Sequence, residues 1–575
     1  MQIDPTSAPE SARGVRDAKR LHPYRAPVAP RPAATVLLLR PREGGFDVLM
    51  TRRSLTASFV PGAYVFPGGA FDQTDAGIQA RRMSRARPTQ DDIQRAFAVT
   101  AIRESFEEMG ILLAYRPDGS LATDEDARWF DRARTADFCG QLEEAGYTLA
   151  VDRVHYLCHW ITDRDLPKRF DVRFLVALVP PNQTPIADEN EQFEPVWVSP
   201  ADALARHAAG NFSIIFPTER TLRRIAAYPD ADSLIAACAG EKPLFVSSPR
   251  GGYLRGEIER FDERDMAFGE LELVTPDGQV LHHLDWRYDR PVPLMKNVIR
   301  LTCPNPGMMT GPGTNTYIVG EPGAYAVIDP GPADAEHVAR IAAIVGQDLK
   351  AILCTHAHSD HSPGAFLLQK LIDAPILGRP WGPRTRTYGN DPDAAAEDLR
   401  DPAFMPDRVM EHGERLALGD STLRAIFTPG HASNHLCFLL EEDGLLFSGD
   451  HINNGQTVVI NPPDGNMNEY LRALGELREL PLTYIMPAHG HVIGFARQAI
   501  DQLIAHRQAR EAKVLNAVRQ QRTATIDSLL PIVYGDVDQR LYPVASRSLL
   551  ASLEKLDEDG VITRSGDRWL ADSAA

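Results

Sequence analysis

The stretch that decides the fold of half the chain is THAHSDH, residues 355–361, directly after the apolar run AILC at 351–354. Three histidines and an aspartate alternate with small residues at the end of a strand-like run, so four metal-capable side chains crowd one turn. The same pattern recurs downstream. TPGH ends an apolar run at His431, SGD ends one at Asp450, and PAHG ends one at His489. Four strands thus deliver His356, His358, Asp360, His361, His431, Asp450 and His489 to their C-terminal ends. Two divalent metals a few ångströms apart need about that many ligands, with one carboxylate shared. His356, His358 and His431 make a three-imidazole site; Asp360, His361 and His489 make the second, and Asp450 bridges them. One histidine near a strand end is ordinarily a surface or core residue, but seven ligand types at four strand ends are not explained that way. A structural zinc site closes with four ligands and favours cysteine, so the surplus of ligands points to catalysis.

Working outward, 575 residues exceed one hydrophobic core and imply several domains. A net charge of -17 argues against broad nucleic-acid binding. Six scattered cysteines without a CxxC pair read as buried thiols of a reducing compartment. No apolar stretch is long enough to cross a bilayer, and the first 20 residues lack the apolar core of a secretory signal. The expectation is a cytoplasmic protein with no membrane partner. Residues 1–30, rich in Pro, Ala and Arg, read as a disordered lead-in. Mixed strands and helices follow over 31–240, starting with TVLLLR at 35–40 and FDVLMTRR at 46–53. Residues 241–295 read as a polar, β-leaning connector. From 296 to 504 short apolar strands alternate with helices: NTYIVG, AYAVIDPG, LKAILCTH, LRAIFTPGH, GLLFSGD and LTYIMPAHG. Residues 505–575 are helical and end in VITRSGDRWLA, two short strands around a tight turn, which reads as a winged-helix-like cap. That cap holds ten Lys/Arg and ten Asp/Glu. It lacks the basic face of a nucleic-acid reader and is expected to pack or dimerise.

The motifs HxHxDH, GH, GD and HG over roughly 296–500 resemble the metallo-β-lactamase superfamily. GPGTNTYIVG, VIDPG, TPGHASNHLCF and SGDHI resemble its β-lactamase-like endoribonuclease branch, which also carries a winged-helix-like C-terminus. Only 18 residues separate His431 from Asp450, too few for the insertion of the β-CASP branch. The resemblance implies an αββα sandwich with two metals, Zn²⁺ first and Mn²⁺ or Fe as alternatives. It implies that Asp360 positions the attacking water and that His435 contacts substrate, with a supporting role for His435 as the other reading. Metals so held lower the pKa of a bound water, chemistry that serves thioesters, lactones and phosphodiesters alike.

In the first half, DDIQRAFAVTAIRESFEEMGILL (91–113) reads as an amphipathic helix ended by Gly110. Glu104, Glu107 and Glu108 share one face, and Arg103 can reach Glu107. Three like charges repel unless neutralised, for which Mg²⁺ or Mn²⁺ is the natural candidate. A solvated acidic face is the plainer reading of such a cluster. Upstream, however, lies YVFPGGAFDQTD (64–75), and REsfEEmG resembles the second half of a Nudix box. With RFDVRFLVAL and EPVWVSP, the region 33–230 resembles the CoA-diphosphatase-like branch with a long box insertion. Asp75 stands where a Glu is usual. The resemblance implies an α/β/α sandwich in which Glu104, Glu107 and Glu108 bind metal, while Glu107, Glu108 or a downstream Glu191 or Glu194 activates water.

The fold class expected is therefore α/β multidomain: a Nudix-like sandwich, a metallo-β-lactamase sandwich and a winged-helix-like cap. The favoured function is a bifunctional metal-dependent hydrolase of a nucleotide or CoA-type small molecule. A second reading is RNA metabolism, with endoribonucleolytic cleavage in the C-terminal half and 5′-cap removal in the first. A third is a nucleotide-binding regulatory module on a single hydrolase; the intact glutamate set argues against it. Nothing in the sequence fixes the oligomeric state.

Overall fold

A computed structural model describes residues 15–56, 60–134, 137–187, 192–381, 401 and 403–571. They form two compact units, Ala26–Pro249 and a second made of Arg250–Ala575 together with the segment ending at Arg25.

The first unit is built on a mixed eight-stranded sheet. Its central strand, Arg31–Arg42, pairs in parallel with Phe170–Leu178 and antiparallel with Gly45–Arg53 and Gly68–Ala70. Side chains alternate across a strand, so Val36 and Leu38 enter one core while Leu37 and Leu39 enter the other. A strand buried on both faces needs a continuous apolar run, which is what TVLLLR supplies. One face is covered by the helix Asp92–Met109, the other by Pro200–Ala208, Phe216–Ile225 and Ala231–Ala237. The Asp92–Met109 helix starts at a capping box between Asp91 and Gln94 and stops at Gly110, as its sequence predicts. It is less amphipathic than expected. Every residue from 96 to 103 is buried, because Phe138, Leu142 and Tyr147 of the following segment join the core that contains it.

The second unit stacks two sheets. One has seven strands in the order Val292–Met295, Val298–Thr302, Asn315–Glu321, Ala324–Ile328, Leu349–Leu353, Ile376–Gly378, Arg408–Val409. The other has five: Arg415–Leu418, Ser421–Phe427, Leu436–Leu440, Leu445–Gly449, Tyr484–Pro487. Tyr317, Val319, Leu353, Phe438 and Phe447 fill the space between them. The outer faces carry helices: Ala335–Val345 and Pro363–Leu371 on the first sheet, Met467–Arg478 and the start of Ala496–Gln521 on the second. The result is an αββα sandwich. Beyond it, the end of Ala496–Gln521 packs with Ile526–Val533, Tyr542–Glu558 and a three-stranded sheet that includes Ile562–Ser565 and Arg568–Ala571. This is the expected winged-helix cap.

Three boundaries differ from the sequence reading. In the lead-in taken as disordered to residue 30, residues 15–30 are ordered, and Arg16 forks onto the fully buried Asp443 with Nε–Oδ1 at 2.9 Å and Nη2–Oδ2 at 2.8 Å. The stretch read as a connector over 241–295 divides at Pro249. Its later part is an Arg250–Leu254/Glu257–Phe261 hairpin and a buried helix, Phe268–Val274, inside the second unit. The boundary at 504/505 falls within a single helix of 26 residues. Among the described residues no helix is long and apolar enough to cross a membrane.

Candidate functional site

Each ligand-bearing motif follows a strand of the second unit, as its sequence predicts: Leu349–Leu353, Ser421–Phe427, Leu445–Gly449 and Tyr484–Pro487. The structure brings all seven residues together in two groups, His356–His358–His431–Asp450 and Asp360–His361–His489. Within each group the donor atoms lie within 4.8 Å of one another. His358 Nδ1 is 2.8 Å from His356 Nε2 and 3.1 Å from His431 Nε2. Asp450 spans the groups. Its Oδ2 lies 3.6 Å from His431 Nε2, and its Oδ1 lies 3.2 Å from His489 Nε2 and 3.6 Å from His361 Nε2. Asp360 Oδ2 is 3.4 Å from both His361 and His489, and it is the most exposed of the seven at 25% of its side chain.

Four of the imidazoles are aimed by what their outer nitrogen bonds. Nδ1 of His361 donates to Asp329 Oδ2 (2.9 Å), that of His431 to the Val459 carbonyl (2.8 Å), and that of His489 to the Gly313 carbonyl (3.3 Å). Nδ1 of His356 meets Thr355 Oγ1 at 2.9 Å, whose hydroxyl in turn donates to Asp329. Fixing Nδ1–H in this way turns the Nε2 lone pair inward. The inward Nε2 atoms of His361 and His489 are buried and make no hydrogen bond. Leaving a buried polar atom unsatisfied costs roughly 1–3 kcal/mol, so these two positions fit a bound cation. The charges agree. Burial and the neighbouring imidazoles push His356 well below its ordinary value and His358 down to about 3. At His489 burial opposes the charge, but Asp450 and Asp360 outweigh it and raise the group to about 10. Asp450 and Asp360 are held well below the carboxylate range, burial being outweighed by His489 and His361.

Of the two readings of His435, the geometry favours the supporting one. It is fully buried, and both ring nitrogens are engaged: Nε2 accepts from the Asp450 amide at 3.2 Å, and Nδ1 meets Thr428 Oγ1 at 2.9 Å. So enclosed, the side chain holds the backbone of Asp450. Gly449 makes room for it. At φ 49° the backbone is left-handed, and a Cβ there would lie 2.6 Å from His435 Nε2. Two contributors were missed. Asp329, from the DPG turn, receives the Thr355 amide, the Thr355 hydroxyl and His361; Asn453 donates to Asp450 Oδ1 at 3.2 Å. The turn chemistry of DPG was visible, but its target 26 residues on was not.

In the first unit the three glutamates also converge, and Arg103 sits among them. Its guanidinium bonds both oxygens of buried Asp75 at 3.0 Å and reaches Glu104 (2.8 Å) and Glu107 (3.1 Å). Repulsion on this face is thus partly relieved by Arg103, which the sequence places within reach of Glu107 and the structure brings to Glu104 as well. Glu108 accepts from the Gly68 amide at 2.9 Å. A Cβ on Gly69 would lie 2.3 Å from Glu104 Oε2, so the glycine loop packs directly on the helix carboxylates. Glu107 Oε1 is buried without a hydrogen-bond partner, and burial, reinforced by Glu104, raises Glu107 to about 7 despite Arg103. The donor set therefore fits a hard divalent cation. Glu194 is engaged by Arg52 and Tyr64; Glu191 lies outside the described residues.

An αββα sandwich with paired imidazole and carboxylate ligands at its strand ends defines a metallohydrolase class. Residues 309–489 match the metallo-beta-lactamase superfamily, and residues 525–569 match the beta-lactamase associated winged helix domain. The lactamase-like protein nscB of Trichophyton equinum is 30% identical over 285 residues, 46% of this chain and 79% of that protein. The lactamase-like protein aptB of Emericella nidulans is 30% identical over 279 residues, 46% of this chain and 82% of that protein. The chain belongs to the metallo-beta-lactamase superfamily. Among solved structures, it is similar to a metallo-beta-lactamase family protein of Thermus thermophilus (24% identity, TM-score 0.41, 48% of this chain and 100% of that one). It is also similar to a NUDIX hydrolase of Alicyclobacillus acidocaldarius (30% identity, TM-score 0.34, 38% of this chain and 99% of that one).

Proposed function

We propose that the chain carries two metal-dependent hydrolases. The second unit hydrolyses an ester, thioester or phosphodiester at a dinuclear centre, and the first cleaves the diphosphate linkage of a nucleotide of CoA type. The observation that carries the first claim is Asp450, whose two oxygens face separate groups of imidazoles. Zn²⁺, Mn²⁺ or Fe held there would supply Lewis acidity and an acidified water. The chain's own part is positional. Asp450 spans the centre, and His361, His431 and His489 are locked by their outer bonds. Asp360, the most exposed of the ligands, offers Oδ atoms to orient the attacking water and take its proton. In the first unit, Glu104, Glu107 and Glu108 would hold Mg²⁺ or Mn²⁺ on a diphosphate. Glu107, whose raised pKa suits a base near neutral pH, would receive the proton of water. Six free cysteines, five of them buried, support a reducing, cytoplasmic setting.

The test is mass spectrometry of products from acyl-CoA with the wild type, Glu107→Gln and Asp360→Ala. A 3′,5′-ADP product lost only in Glu107→Gln supports the diphosphatase. Free CoA lost only in Asp360→Ala supports the thioesterase. Neither product from metal-loaded protein overturns the CoA reading and makes single-stranded RNA the next substrate to try.

A further inference from the structure

The segment between Pro249 and Val292 has no part in the centre described so far, yet it contains a fully buried carboxylate, Glu270. A carboxylate out of water is costly unless every lone pair is answered, and here they are. Oε1 accepts from His282 Nε2 (2.8 Å) and Arg300 Nη2 (3.0 Å), while Oε2 accepts from Arg300 Nη1 (2.5 Å) and His491 Nδ1 (3.0 Å). The Val492 amide also points to Oε2, at 3.4 Å. Two of these partners, His491 and Val492, belong to the loop that immediately follows the ligand His489. The grip extends beyond Glu270. Trp286 stacks on His491 with ring centroids 4.4 Å apart, and Arg300 lies 4.8 Å over Trp286. Gly269 approaches so closely that a Cβ there would lie 2.1 Å from the Gly494 amide nitrogen. On the other side, Asn454 bonds the carbonyls of both Met266 and His491 at 2.9 Å, and its own amide donates to the His489 carbonyl.

We propose that Glu270 is a positioning residue for the second metal position: through His491 and Val492 it fixes the 489–494 loop and so aims His489 at its ion. Resting on the dinuclear reading above, this assigns the 250–290 segment a role in building the centre. Because His282 and Arg300 answer the other lone pairs, the carboxylate stays ionised and rigid, and the loop inherits that rigidity.

The probes are Zn²⁺ and Co²⁺ added to the metal-free full-length chain, with stoichiometry and affinity read by chelator competition and by the visible Co²⁺ bands. The wild type is expected to take up two equivalents. Glu270→Gln keeps one at wild-type affinity and binds the other about tenfold more weakly, with altered Co²⁺ bands for that equivalent. His491→Leu behaves the same way, and His491→Asn, which returns a donor near the Nδ1 position, restores it. His283→Leu, in the same segment but exposed and stacked on Tyr253, with no bond to Glu270, leaves both equivalents intact. Unchanged affinity for both equivalents in E270Q and H491L overturns the inference alone, as does an equal loss in H283L, which would reduce the segment to general support. A wild type taking up fewer than two equivalents overturns the dinuclear reading and this inference with it. If E270Q does not fold, the H491L and H491N pair decides.

Discussion

The two candidate centres gather ligand-type side chains with opposite materials. In the second unit the donors are mostly imidazoles, drawn from four strand ends, and four of the five are aimed by a separate outer bond. In the first they are carboxylates from one helix, Glu104, Glu107 and Glu108, kept together by Arg103 and a glycine loop. Imidazoles can be buried neutral, so the second unit encloses most of its donors. Clustered carboxylates cannot, so the first unit leaves one of its acids poised between protonation states until a cation arrives.

The sharpest way to break this comparison is Asp450→Ala. Losing the one carboxylate that faces both groups is expected to abolish uptake of two metals and to lower hydrolysis by the second unit about a thousandfold or more, several kcal/mol of barrier. Metal analysis and turnover of an ester or phosphodiester would check it, and activity of the first unit should not change. Next in size, Glu107→Gln is expected to reduce diphosphate cleavage at least about a hundredfold and leave the second unit untouched, as read by 3′,5′-ADP release.

The third prediction concerns pH. Burial raises Glu107 from 4.5 to about 7, so between those values the folded, metal-free chain binds more protons than the unfolded one. Stability of the first unit should therefore be full below about pH 4.5 and fall as pH rises toward 7, by on the order of 3 kcal/mol at most. Denaturant titrations at several pH values would show the slope, and E107Q or saturating Mg²⁺ should remove it. The smallest effect is expected from His435→Ala, about a tenfold loss of metal affinity in the second unit with KM unchanged. A raised KM at full metal loading would return His435 to the substrate.

The convergence of the seven candidate ligands was legible because each motif is local: a strand-like run followed at once by its His or Asp. The strand of both cores was legible for the same reason, since TVLLLR can only be satisfied on two buried faces. What the sequence hid lies at long range. Arg16 meets Asp443 across 427 positions, and Glu270 meets His491 across 221. Arg16 was read as part of a disordered lead-in and Glu270 as part of a polar, β-leaning connector, because an arginine or a glutamate looks solvated until its partner is known. His435 carried two readings because it stands between the polar Ser433 and Asn434 and the apolar Leu436, Cys437 and Phe438, and only its bonds to the Asp450 amide and Thr428 favour support over substrate contact.

The helix Ala496–Gln521 carries Ala496 and Ile500 into the sandwich core and Val514, Ala517 and Val518 into the core of the cap. A single rod threaded through two cores makes them one cooperative unit. Heat or denaturant should melt cap and sandwich in one transition, and a protease cutting near residue 505 would not release a module but wound both. The cap is therefore less a passenger that could be lost or exchanged than a fastening, and the hydrolase it closes inherits its fate.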